Sequence, residues 1–123
     1  MLHHASLAVV DLERSCALYD AALGELGYRR VCESPAFAGY GVEDGRDKFA
    51  LMETGSGASS NLGSHVAFAA PSRDAVDAFH QAAMQHGATD NGGPGLRPHY
   101  GPGYYAAFVI DLDGNHIEAV HKP

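Results

Sequence analysis

A weak internal repeat constrains this chain more than any other feature. Shifted by about 61 positions, the sequence falls on itself. His4 meets His65, Leu7 meets Phe68, Asp11 meets Ser72, Leu18 meets Phe79, and Ala21-Ala22 meets Ala82-Ala83. A unit of this size is too small to bury an apolar face comfortably alone and needs its twin. In residues 2–10, "LHHASLAVV", Ala5, Leu7 and Val9 point one way and His4, Ser6 and Ala8 the other, which is strand periodicity. Asp11 is a plausible N-cap for a helix over 12–26, with Leu12, Cys16, Tyr19, Leu23 and Leu26 on one face and Gly27 as the stop. Short strands follow at about 28–33, 37–43 and 48–53, and then "TGSGASSNLG" (54–63), a flexible linker by composition.

The pattern then restarts. "HVAFAA" (65–70) alternates, and Ser72 can cap a helix over 73–86 that carries Val76, Phe79 and Ala83 on one face and ends at Gly87. Strands over 104–111 and 115–121 flank a tight turn containing Asp111, Asp113 and Gly114. Each half therefore reads β-α-β-β-β. The expected class is α+β, with modules 1–54 and 64–123 joined by a linker at 55–63 and packed about a pseudo-twofold axis as one domain of 123 residues.

Composition narrows the partners. Eight basic residues against fifteen acidic give a formal charge of −7. That argues against nucleic acid, which needs a basic footprint, and suits solubility or a cationic ligand. No apolar run approaches the ~20 residues of a bilayer span, so no membrane partner is expected. The N-terminal residues carry no basic leader pattern, so no targeting peptide is expected either. Cys16 and Cys32 are too few and too irregularly placed for a disulfide framework or a Cys-based zinc site. They read as free thiols in a reducing cytoplasm.

The chemistry lies on the face of each opening strand that the bulky residues leave free. His4-Ser6-Ala8 and His65-Ala67-Ala69 are small and polar, which leaves room instead of building a core. By the repeat, His4 and His65 occupy equivalent positions near a symmetry axis. Glu118 interrupts the last apolar strand on the face opposite Ile117 and Ala119. Two neutral imidazoles and a carboxylate form a donor set for Zn, Mn, Fe or Ni, and three protein ligands leave coordination positions open. His116 shares the Glu118 face and is a candidate to support a ligand. His3 and His121 read as structural or strand-end residues, His80 and His86 as exposed helix residues, and Tyr40 as a core aromatic.

The segment 88–103 is long for a connection, and loops of that length tend to be functional. Arg97, His99, Tyr100 and Tyr104 interleave there with Pro94, Pro98 and Pro102, which stiffen it as a lid. His99 and Tyr100 are candidates for proton transfer. Arg97 and Tyr104 are candidates for holding substrate, Arg97 through a carboxylate or phosphate.

With these residues in place, the chain resembles the vicinal oxygen chelate superfamily of glyoxalase I, bleomycin-resistance proteins, fosfomycin-resistance thiol transferases and extradiol dioxygenases. The likeness is carried by "HASLAVVDLERSCALYDAALGELGY" (4–28), "HVAFAA" (65–70) and "AAFVIDLDGNHIEAVH" (106–121), and it spans both halves in order. The resemblance implies tandem βαβββ modules forming curved mixed sheets around a shared cleft, and a divalent metal held by His4, His65 and Glu118. It also implies a homodimer in which these ligands come from different chains. Some members add a Glu from the last strand of the first module. Glu53 is the nearest candidate, although Leu51 can hold that position instead. Leu112 stands where the family usually has Pro.

The resemblance implies a metal-dependent enzyme acting on a small molecule by lyase or isomerase chemistry, thiol transfer or ring-opening dioxygenation. Without Glu53 in place, the glyoxalase reaction loses its usual base. The rival reading is a metal-free protein that sequesters a drug, as bleomycin-resistance proteins do. The acidic charge favours that rival, and an intact ligand triad argues against it.

Overall fold

The computed structural model describes residues 1–54 and 65–123; the expected linker at 55–63 lies outside the described residues. The first half runs β1 (Ala5–Val9), α1 (Leu12–Gly24), β2 (Arg29–Ser34), β3 (Phe37–Gly41) and β4 (Phe49–Glu53). The second runs β5 (His65–Ala69), α2 (Arg73–Gln85), the two-residue strands β6 (Thr89–Asp90) and β7 (Gly95–Leu96), a single 3₁₀ turn at Pro98–Tyr100, β8 (Tyr105–Ile110) and β9 (His116–His121). The first sheet has the order β1-β4-β3-β2. The second has the order β5-β9-β8-β6, with β7 also on β8. In both, the opening strand pairs parallel with the closing one and the rest is antiparallel. The two mixed sheets are the expected α+β pair, and among the described residues no strand pairing joins them into one.

Both helices begin as the sequence predicts. The Asp11 carboxylate accepts from the Arg14 amide at 3.1 Å, and the Ser72 hydroxyl accepts from the Ala75 amide at 3.1 Å. Each cap satisfies one of the amides that a helix start leaves without a partner. The bulky strand residues face the helices as expected. Val9, Leu51, Phe79, Val109 and Ile117 are at most 1% exposed, and they belong to one apolar cluster drawn from both halves. Side chains of this size contribute roughly 1.5–3 kcal/mol each when fully buried. Phe49 of β4 meets Phe68 of β5 edge-on, with ring centroids 4.9 Å apart. The helix-facing sides of the two sheets thus share a core, and their other faces turn away from it.

Polar groups on the β8–β9 turn fasten the halves together. Asp111, 6% exposed, accepts from the Tyr19 hydroxyl of α1 at 2.7 Å and from the Asn115 amide at 2.8 Å. Asp113 accepts from the Val10 amide at 2.9 Å, and the Asn115 side chain donates to the Ala8 carbonyl at 3.3 Å. Burial first, and then the neighbouring Asp111 charge, push the Tyr19 phenol well above its usual range. Tyr40 is a core residue, 1% exposed, and its hydroxyl donates to Asp20 at 2.8 Å. Among the described residues, no helix is long and apolar enough to cross a membrane.

Candidate metal centre and cavity

Glu118 sits mid-strand in β9, with Ala67 of β5 on one side and Phe108 of β8 on the other. Alternation puts it on the face turned away from α2. There the side chains beside it are small on the β5 side, and a cavity of about 440 Å³ opens over it. His65 enters this cavity from the first residue of β5, and its Nε2 lies 3.3 Å from Oε1 of Glu118. The Tyr104 hydroxyl donates to the other oxygen, Oε2, at 2.5 Å. Burial and this bond to Glu118 push the Tyr104 phenol up to about 12, so it holds its proton at neutral pH and is the donor.

Glu118 is only 2% exposed, the His65 imidazole is its nearest basic neighbour, and no Lys or Arg pairs with it among the described residues. A carboxylate this deep is costly without a compensating cation. Its donor chemistry, oxygen beside imidazole nitrogen, fits a borderline divalent metal such as Zn, Mn, Fe or Ni. Within one chain, however, no three His, Cys, Asp or Glu side chains come together among the described residues. His4 precedes β1 on the first sheet, is exposed, and has its Nδ1 2.9 Å from Nδ1 of His3. The chain therefore brings two of the three expected ligands together and leaves His4 apart from them.

Register sets Glu53 apart from the position expected of a fourth ligand. In the second sheet Ala67 lies opposite Glu118; the equivalent pair in the first sheet is Ser6 opposite Ala50. Neither Glu53 nor Leu51 stands there, because both point to the helix side. Leu51 is fully buried in the core, and Glu53 accepts from the Leu12 amide at 3.0 Å, capping α1. The signal was present in "FALME": Phe49, Leu51 and Glu53 alternate with Ala50 and Met52, so the carboxylate had to share the face of the bulky residues.

The segment 88–103 is more structured than the expected loop. β6 and β7 pair with β8, and the 3₁₀ turn carries His99 and Tyr100. Gly101 (φ 132°) and Gly103 (φ 74°) take backbone angles that favour glycine, so the chain reverses sharply and returns Tyr104 over Glu118. Tyr100, Tyr104 and Phe108 form an aromatic wall of the cavity, with Asn91 and His116 beside them. His99 does not line the cavity; its ring packs on Tyr100 with centroids 4.2 Å apart. Arg97 is turned to the strap, the chain between β6 and β8, to which it belongs: its guanidinium donates to the Gly93 carbonyl at 2.7 Å and lies 5.3 Å from the Phe108 ring centre. Of the four lid residues, Tyr100 and Tyr104 reach the cavity, and His99 and Arg97 brace it from behind. Both thiols are free, and burial pushes each above its usual range, so neither is primed as a nucleophile.

The architecture matches solved structures along nearly its whole length. A glyoxalase/bleomycin resistance protein from Albidiferax ferrireducens is 35% identical, with a TM-score of 0.84 over 98% of this chain and 97% of its own. The fosfomycin resistance proteins FosX of Mesorhizobium loti and Listeria monocytogenes are 20% and 18% identical, with TM-scores of 0.70 and 0.72 over 100% of this chain and 92% and 93% of theirs. At that identity they share the fold. No curated protein sequence matches. A family model described as the Glyoxalase/Bleomycin resistance protein/Dioxygenase superfamily matches residues 1–119, and the chain belongs to that superfamily.

Proposed function

We propose that the protein is a metal-dependent enzyme acting on a small molecule that presents two neighbouring oxygens. Its site would be completed in a homodimer by His65 and Glu118 of one chain and His4 of the second. One observation carries the reading: a carboxylate 2% exposed, with an imidazole 3.3 Å away and no Lys or Arg paired with it among the described residues. A divalent ion held by these groups supplies Lewis acidity toward both substrate oxygens. The rest is the work of the chain. Tyr100 and Phe108 offer ring faces to a flat or apolar substrate, and Asn91 and His116 offer hydrogen bonds at its polar edge. Leaving His4 out of the single-chain site fits a shared one, in which a second chain would supply it.

Among the reactions open to such a centre, glyoxalase-type isomerisation is the least supported. It calls for a base beside the metal, and Ala50 stands where that carboxylate would be. Thiol transfer and ring-opening oxygenation do not need it. A phosphonate substrate would lack an obvious cationic partner in this chain, since Arg97 is engaged by a strap carbonyl.

Complementation tests the shared site. His4→Ala and His65→Ala proteins should each lose stoichiometric metal by elemental analysis. After unfolding and refolding together, heterodimers regain one intact site each, so the mixture should recover about a quarter of the wild-type metal content. A mixture that stays metal-free although it dimerises would sink the shared site. A wild-type protein that binds no metal yet takes up a planar cation would favour the sequestering reading.

A further inference from the structure

Tyr104 occupies a place that a substrate-contacting residue would not need. Its hydroxyl is spent on Oε2 of Glu118 at 2.5 Å, and the strap is built to hold it there. The Arg97 amide donates to the Tyr104 carbonyl at 2.8 Å, and the Tyr104 amide donates to the Gly101 carbonyl at 3.3 Å. Tyr100 packs against the Tyr104 ring with centroids 5.3 Å apart, and His99 packs against Tyr100 in turn. Lys122 leans on the same turn, close enough that a Cβ at Gly101 would meet its Nζ at 3.1 Å. A carboxylate with one oxygen so engaged offers only the other to its remaining neighbour, and that oxygen, Oε1, is the one facing His65.

We infer that Tyr104 is a positioning residue for Glu118. It fixes the carboxylate rotamer and reserves Oε2, so that Glu118 serves a metal through Oε1 alone. The inference rests on the metal site proposed above. Partners of this kind orient a ligand and are worth roughly 10–100-fold in metal affinity. Removing the hydroxyl while keeping the ring isolates that contribution.

Calorimetric titration of wild-type and Tyr104→Phe dimers with Zn²⁺ and Co²⁺ tests it, alongside His65→Ala. The expected result is about 10–100-fold weaker binding in Tyr104→Phe, together with a changed visible spectrum of the Co²⁺ form as Oε2 becomes free to coordinate. A merely structural role would shift the melting temperature without moving that spectrum. Unchanged affinity and an unchanged spectrum in a folded Tyr104→Phe protein would overturn the inference while leaving the metal site standing. Wild-type protein that binds neither ion, or binds it equally well as His65→Ala, would overturn the metal site and the inference with it.

Discussion

The two open faces share a topology and differ in what they carry. Across the middle of the first sheet run Ser6, Ala50, Gly39 and Cys32; at the same level in the second run Ala67, Glu118 and Phe108. The first row has been kept small. At Gly39 a Cβ would meet Cys32 Sγ at 2.6 Å and Asp47 Cβ at 2.7 Å, so the cysteine and aspartate fold over the space a side chain would need. The second row carries a buried charge and an aromatic wall. One half thus carries the candidate site, and the other an open face of small side chains with a histidine at its edge. This division of labour is what a repeat permits: the shared core keeps both halves folded, so their outer faces are free to diverge.

The sharpest way to break this comparison is to move the carboxylate. If Glu118 is the ligand proposed above, Glu118→Gln should weaken metal binding at least about 100-fold, since the ligand itself is lost and not merely its support. Ala50→Glu in that background places a carboxylate at the equivalent level of the first sheet, beside the strand that His4 precedes. Partial recovery of metal binding, read by calorimetry, is the expected outcome. A folded double variant with no recovery would mean that the two rows do not face the same ion.

The joint between the halves gives a second contrast, smaller in size. Tyr19→Phe removes the hydrogen bond that crosses from α1 to Asp111, a bond to a charged acceptor worth about 2 kcal/mol. Urea unfolding should show that loss at neutral pH. The pH dependence has a definite sign. Tyr19 is pushed well above its usual range by burial and by Asp111, so the folded state favours its protonated form. That contribution is fully present below the unfolded phenol value of about 10 and is lost as pH rises through the folded one. Wild-type stability should therefore fall above about pH 10 more steeply than that of Tyr19→Phe. Parallel curves would mean that Tyr19 titrates as it does in the unfolded chain.

Much of this was legible in the sequence, because strand and helix periods report which face is buried. The repeat located both helices and both opening strands. It failed where the halves differ in length. Ser6 and Ala50 are 44 positions apart, whereas Ala67 and Glu118 are 51 apart, so a constant shift cannot align the closing strands. The additional residues fall in the segment that forms β6, β7 and the strap. The insertion that broke the arithmetic is the one that delivers Tyr100 and Tyr104. The hydroxyl bond to Glu118 was not readable, because it depends on how two consecutive turns reverse the chain. Nor was the bracing role of Arg97, since a guanidinium in a loop has carbonyls within reach that no spacing reveals.

Glu53 separates the two kinds of carboxylate most cleanly, with the smallest effect. Its side chain accepts from the Leu12 amide, the first residue of α1, while Asp11 caps the amide of Arg14. Two acids thus serve one helix start, where the helix dipole also favours negative charge. Glu53→Ala should cost about 1 kcal/mol of stability, the usual size of a lost cap. Metal affinity should stay at the wild-type value, because the side chain lies on the opposite face of β4 from Ala50. Measured together by urea unfolding and calorimetry, these two numbers place Glu53 with the helix and apart from the site. A drop in metal affinity without a loss of stability would reverse the assignment, and would mean that β4 pairs one residue out of the register described.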